Sequence, residues 1–236
     1  MIPKILHIQW IFDEWPVYGD EVVKRYAEAN PGWDIRVTRE IPQDIPDDLL
    51  VHLQNDHIPR ACRADLVRYW SLYKDGGVYV DMDTLPLQPF GDAFDGMQAF
   101  TCRCNGRKGV STRRAHGWID CCLLGSEAGN PFWNAVFARC RRPQEWRQGN
   151  AWFAAHNTFG DCDAQGVSVL DDAVQEAENT EQLEFLRKQG KVNPSGEGFI
   201  IHYRMTPVLA SMLGMENHWD AKTWIEVYDS YPEMTE

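Results

Sequence analysis

Long apolar runs are missing from this chain. None approaches the length needed to span a bilayer, and the amino terminus has no extended hydrophobic segment of the secretory kind. Met1-Ile2-Pro3-Lys4-Ile5 leads straight into a predicted strand. The expectation is a cytoplasmic protein without a transmembrane segment, one that meets any membrane-bound partner from the surface. C-x-x-C pairs are missing too. The seven cysteines (Cys62, Cys102, Cys104, Cys121, Cys122, Cys140 and Cys162) are odd in number. They offer neither a secreted disulfide framework nor a usual zinc spacing, and read as thiols in a reducing compartment. Positive charge is scarce: 23 Lys and Arg against 35 Asp and Glu leave a net charge of −12. That balance argues against a nucleic-acid partner. Arg103, Arg107, Lys108, Arg113 and Arg114 form one basic cluster, which reads as a solvated loop.

What is present is enough for a sizeable core. At 236 residues with 44% hydrophobic content, the chain is read as one domain over 1–236. The ten tryptophans decide nothing by number alone, since tryptophan serves cores as well as ligand sites.

The organising stretch is Gly76-Gly77-Val78-Tyr79-Val80-Asp81-Met82-Asp83. Val78 to Val80 is a short run of β-formers between a glycine pair and two aspartates. It reads as a buried strand of a parallel sheet that ends in carboxylates. Open α/β sheets bind ligands at the carboxyl ends of their strands. Hard cations such as Mg²⁺ and Mn²⁺ take oxygen ligands, often one or two carboxylates plus substrate phosphates. Taken alone, Asp81-Met82-Asp83 is ordinary turn punctuation; its context decides otherwise.

Lys4 to Trp10 reads as a first, central strand. Asp20 to Ala29 reads as a helix stopped by Asn30-Pro31-Gly32, and Trp33 to Val37 as a second strand. Pro46 to His57 reads as another helix. Leu66, Val67, Trp70 and Tyr73 make a helical stripe that Gly76-Gly77 terminates. Asp65 and Arg68 are three apart and share a face of that helix. On a surface such a pair is worth little; leading into the aspartate strand, it is placed to bind hydroxyls of a polar ligand. Trp10, at a strand end, suits stacking on a flat ligand or simple core packing equally well.

These residues carry a resemblance. Ile2 to Trp10 resembles the I-P-K-I-I-H-Q-I-W opening of the DXD-containing sugar transferases of glycosyltransferase family 32. Ala64 to Tyr69, then Leu72 to Asp83, resembles that family's S-D-l-l-R-y…L-y-k-y-G-G-i-Y-l-D-x-D core. The family is allied to initiating α-mannosyltransferases, capsular polysaccharide enzymes and clostridial toxin glucosyltransferase domains. The likeness covers roughly the first third of the chain. It implies an α/β fold of GT-A type, a nucleotide-sugar-binding Rossmann-like sheet flanked by helices. It also implies Mn²⁺ or Mg²⁺ and a UDP- or GDP-hexose donor. By motif position Trp10 stacks on the base, Asp65 and Arg68 hold the donor sugar, and Tyr79 lines the donor site. Asp83 binds the metal, and Asp81 contacts ribose and metal. Ile8-Gln9 inverts the family's order, which changes the face each side chain takes, so Gln9 is not nominated.

Farther on, Thr84 to Phe90 reads as an extended exit from the sheet, and Met97 to Cys102 as an edge strand. Gly117 to Trp133 resembles the family's i-s-N-x-f-m-G-S-x-p-G-h-P-f stretch, with Cys121 where the family has asparagine. Asp120 beside it either reaches acceptor or sugar, or is a plain turn or strand-end residue. Pro131 to Arg139 reads as a helix with Trp133, Val136 and Phe137 inward. Asp171 to Lys188 is charged and reads as helical, and 141–190 is expected to hold an acceptor-binding segment. Gly198 to Tyr203 reads as a buried strand delivering His202 as a third metal ligand. His218 competes, because His218 to Trp224 resembles the family's H-x₄-[ST]-W ending, which would bring Thr223 and Trp224 to the diphosphate. His202 has the better strand, His218 the better motif; the preference is His202.

The activity expected is metal-dependent transfer of a hexose to an acceptor hydroxyl, with retention of configuration. The acceptor is a glycan, a lipid-linked intermediate, a protein or a small molecule. Two rivals are a metal-dependent phosphohydrolase, which would need more clustered ligands than the chain offers, and a nucleotide-sugar-binding module without turnover.

Overall fold

The computed structural model describes residues 1–11, 14–16, 19–56, 58, 60–104, 118–141, 166–177 and 200–203. The chain opens with strand β1 (Ile5–Gln9), helix α1 (Gly19–Ala29) and strand β2 (Asp34–Thr38). Helices α2 (Asp47–Leu53) and α3 (Arg60–Asp75) lead into β3 (Gly77–Val80) and β4 (Thr84–Pro86). Then come β5 (Ala99–Cys104), β6 (Trp118–Ser126), α4 (Phe132–Cys140), β7 (Val167–Ala177) and β8 (Ile200–Tyr203).

The strands form one mixed sheet in the order β2-β1-β3-β6-β5-β7-β8-β4. β1 runs parallel to β2 and β3, whereas β6 lies antiparallel between β3 and β5. β3 therefore has a parallel neighbour on one side only, and β1 is second from the edge, not central.

Side chains alternate across the sheet with the period of a strand. Leu6, Ile8, Val78 and Val80 share one core with Val22 and Tyr26 of α1. Tyr79 faces the other way, into a core with Leu66, Val67, Tyr69 and Leu72 of α3 and with Phe132, Trp133, Val136 and Phe137 of α4. His7 and Gln9 point to this second face, where their side chains meet the carbonyls of Gly76 (2.8 Å) and Ala64 (2.7 Å).

The glycine pair has a steric reason. Gly76 ends α3 at φ +67°, its N–H on the Leu72 carbonyl. Gly77 stands at φ +103°, and a Cβ there would lie 2.5 Å from the Ile5 carbonyl oxygen. Only glycine lets β3 pair so closely with β1 in that conformation.

Several expected elements differ. Thr84 to Pro86 is no mere exit: it is β4, antiparallel to β8. The Met97–Cys102 stretch contributes β5, an interior strand between β6 and β7 rather than an edge. The charged stretch from Asp171 is strand through Ala177, not helix, its far half paired with β8. Helix α2 is shorter than Pro46–His57. The segment 142–165, the rest of the expected acceptor-binding region from 178, His218 and Trp224 lie outside the described residues, as do most of the basic cluster.

The connection from β3 to β4 shapes the sheet. The two strands are third and eighth in the sheet order, about 24 Å apart if the sheet were flat. Only Asp81, Met82 and Asp83 join them, and Val80 to Thr84 can reach at most about 14 Å. The sheet must therefore curl until its far edge returns to the carboxyl end of β3. The acidic turn closes that curl.

Candidate active site

Three strands bring residues to the turn beside β3 itself. β1 and β3 run parallel with Ile8 opposite Val80, so Gln9 and Trp10 come level with Asp81 and Met82. β6 runs the other way: Leu123 pairs with Val80, the Cys122 carbonyl accepts the Asp81 N–H at 3.0 Å, and Cys121 and Asp120 continue past the end of β3. Asp120 is thus a strand residue, opposite Cys102 of β5; its side chain is outside the described set. Across the turn, His202 is the register partner of Thr84, next to Asp83. Its side chain is likewise outside that set.

Arg68 is the hub. It projects from α3 and is nearly buried, as is Asp65 one turn before it. Its Nη2 lies 2.9 Å from Asp65 Oδ1, and its Nη1 lies 2.9 Å from Asp81 Oδ1. Nη1 also donates to the Cys121 carbonyl at 2.8 Å. The guanidinium carbon sits 4.4 Å above the Tyr79 ring centre. The planar fork of arginine suits this many acceptors; a lysine point charge would not. Burial opposes the charge on Arg68, but Asp81 and Asp65 outweigh it and hold its pKa well above the ordinary value. Arg68 Nε is buried without a partner among the described residues.

Tyr79 donates to Asp81 Oδ1 at 2.7 Å. Burial raises the phenol's pKa well above its ordinary value, so it remains a donor at neutral pH. Asp81 thus lies between a cation and a phenol, and its carboxylate orientation is set by two partners on Oδ1. Asp83 is partly exposed at the outer position of the turn. Trp10 is half-buried, packed against the first core, and its indole N–H donates to the Glu14 carbonyl at 2.7 Å.

The predicted residues Asp65, Arg68, Tyr79 and Asp81 thus form one connected group, with Asp83 two residues on and Trp10 level with the turn. Among the described residues no three His, Cys, Asp or Glu side chains cluster as a metal site. Two carboxylates on one turn, with Arg68 offsetting one of them, are nonetheless a hard oxygen set suited to Mg²⁺ or Mn²⁺. Sequence reasoning missed the Cys121 carbonyl, the Gln9 amide on α3 and the hydroxyls of Tyr26 and Thr84. Backbone acceptors leave no residue signature, and Gln9 is set aside by its inverted order.

The architecture is that of GT-A glycosyltransferases, and the candidate site lies at the carboxyl ends of β1 and β3. Residues 16–101 match the family described as a glycosyltransferase sugar-binding region containing a DXD motif, and this stretch includes α3, β3 and the acidic turn. Over 144 residues the chain is 28% identical to an uncharacterized glycosyltransferase of Acanthamoeba polyphaga mimivirus, covering 58% of this chain and 55% of that protein. Over 89 residues it is 38% identical to inositol phosphoceramide mannosyltransferase 3 of Schizosaccharomyces pombe, covering 35% of this chain and 24% of that one. The chain therefore spans about half the length of the first relative and about a quarter of the second. Among solved structures, the PaToxG glycosyltransferase superposes with TM-score 0.50 at 12% identity, over 84% of this chain and 88% of that one. A glycosyltransferase involved in glycosylation of the major capsid of PBCV-1 gives TM-score 0.50 at 11% identity, over 85% and 92% of the two chains. Among the described residues no helix is long and apolar enough to cross a membrane.

Proposed function

We propose that this protein is a divalent-metal-dependent glycosyltransferase that moves a hexose from a nucleotide-diphosphate sugar to an acceptor hydroxyl. The observation that carries the reading is the connected Asp65–Arg68–Asp81–Tyr79 group at the carboxyl ends of β1 and β3, inside the stretch that matches the DXD sugar-binding region.

Asp83 and Asp81 would hold Mn²⁺ or Mg²⁺, with His202 or His218 as a third ligand. When bound, the cation supplies charge stabilisation for a departing nucleoside diphosphate. The protein's own residues orient the rest. Arg68 and Tyr79 fix the Asp81 carboxylate. Asp65 and Arg68 present a charged pair to the sugar hydroxyls, holding the anomeric carbon toward the acceptor. Trp10 takes the base, Trp224 approaches the diphosphate, and Asp120, on the strand that runs past β3, serves the acceptor side. The sequence identifies no enzymic nucleophile, which supports same-face attack and retention. The acceptor is a glycan, lipid-linked, protein or small-molecule hydroxyl.

The test is Asp83→Ala, assayed for nucleoside diphosphate release from UDP- and GDP-hexoses with Mn²⁺. Loss of both donor hydrolysis and transfer, with the fold intact by circular dichroism, is expected. Undiminished turnover would remove the metal assignment.

A further inference from the structure

Thr84 is fully buried, and three segments meet at it. Its backbone opens β4 and stands opposite His202 of β8. Its hydroxyl donates to the Asp81 carbonyl at 2.5 Å, closing the acidic turn from the inside. The same oxygen lies 2.7 Å from the hydroxyl of Tyr26, itself fully buried on α1.

The direction of this relay follows from proton counting. A carbonyl oxygen only accepts, so the one hydroxyl proton of Thr84 is committed to Asp81. Tyr26 must therefore donate to Thr84 Oγ1. The Tyr26 ring belongs to the first core and Thr84 is fully buried beside it; phenylalanine and valine would fill nearly the same space without a hydroxyl to satisfy. Packing alone does not call for them. What they add is a fixed backbone direction at Asp81, the first residue of the turn that carries Asp83.

We propose that Tyr26 and Thr84 are positioning residues for the divalent-cation site. Their hydroxyl relay sets the orientation of the Asp81–Asp83 turn from α1, on the face of the sheet opposite Arg68. Their hydroxyls bond each other and the Asp81 carbonyl, so they would act on the cation only through the turn. Arg68 and Tyr79 hold the Asp81 side chain, while the relay holds its main chain; the turn is pinned from both faces. The inference rests on the metal-dependent reading above and extends it to residues on α1 and β4. Loss of an outer contact that orients a ligand weakens metal binding on the order of tenfold.

The experiment measures Mn²⁺ binding by the full chain, by electron paramagnetic resonance of the free ion, in the presence of UDP or of GDP. Thr84→Val and Tyr26→Phe are compared with Thr84→Ser, which keeps the hydroxyl. Thermal unfolding is recorded for each. Expected is a fall in Mn²⁺ affinity of about tenfold for Thr84→Val and Tyr26→Phe, with Thr84→Ser close to the wild type at a similar melting temperature. Unchanged affinity in Tyr26→Phe and Thr84→Val overturns the relay while leaving the transferase reading in place. Equal losses in Thr84→Ser and Thr84→Val also overturn it, because the hydroxyl is then not the cause. If Thr84→Val does not fold, Tyr26→Phe decides. Wild-type protein that takes up no Mn²⁺ with either nucleotide removes the functional reading, and this inference with it.

Discussion

Arg68 Nη1 lies 2.9 Å from Asp81 Oδ1 and 2.8 Å from the Cys121 carbonyl oxygen, so one nitrogen ties the end of β3 to β6. The other arm of the guanidinium holds Asp65 on its own helix. A helix, two strands and the acidic turn thus share a single side chain.

Replacing it should be costly for that reason. Arg68→Ala leaves the nearly buried Asp65 carboxylate without its cation, and should lose about 3 kcal/mol or more of stability. Arg68→Lys keeps the charge but loses the fork, and should fall between that variant and the wild type. Urea unfolding of the three proteins measures this. An Arg68→Ala midpoint equal to the wild type would show that the ion pairs are not formed in solution.

The register of β8 supports the preference for His202 as the third ligand. His202 stands opposite Thr84, beside the turn. His202→Ala should therefore weaken Mn²⁺ binding by about tenfold or more, since even a partner that only orients a ligand is worth that much, and His218→Ala should leave it nearly unchanged. Titration of both variants with Mn²⁺ and UDP or GDP checks the order; the reverse pattern assigns the third ligand to His218.

Gly77 offers a steric test with a built-in control. Gly77→Ala meets both an unfavourable φ of +103° and the Ile5 carbonyl oxygen at 2.5 Å. Gly32 has a similar φ, +86°, but open space around it. Gly32→Ala should cost about 1 kcal/mol for conformation alone, and Gly77→Ala about 2 kcal/mol or more. Chemical unfolding separates the two, and equal losses would mean that the Ile5 carbonyl does not restrict residue 77.

His7 predicts an acid-side loss of stability. Burial lowers its pKa below the ordinary 6.5, the Gly76 carbonyl only partly opposing this. Between the lowered folded value and 6.5 the unfolded chain binds more protons, so stability rises with pH across that window. Stability should fall as pH drops below about 6.5 and be insensitive to this group above it. His7→Gln should narrow the difference between unfolding midpoints at pH 7.5 and pH 5.5. Half-buried His52 is shifted the same way by burial, and His52→Gln isolates its share.

The site was more legible than the sheet. Asp65 and Arg68 are one helical turn apart, and the glycine pair delivers α3 directly to β3, so local spacing alone brings them toward Asp81. A nucleotide-binding α/β sheet was likewise readable from the opening strand–helix–strand, and its GT-A type from the resemblance carried by Ile2 to Trp10 and Ala64 to Asp83. Local pattern failed where pairing is long-range. Thr84-Leu85-Pro86 resembles a loop because its partner, β8, lies far along the chain. Asp171 and Asp172 disguise β7, whose pairing with β5 and β8 overrides the helical look of its charges. Thr84 and Tyr26 have no motif at all: their link exists only after α1 packs beneath the turn.

The short bridge between the third and eighth strands also makes the acidic turn a clasp. Separating β4 from β8 requires moving the residues that join β4 to β3. Amide exchange at Leu85 and Ile201 therefore reports on the clasp, and a ligand that tightens it should slow that exchange at the far rim of the rolled sheet.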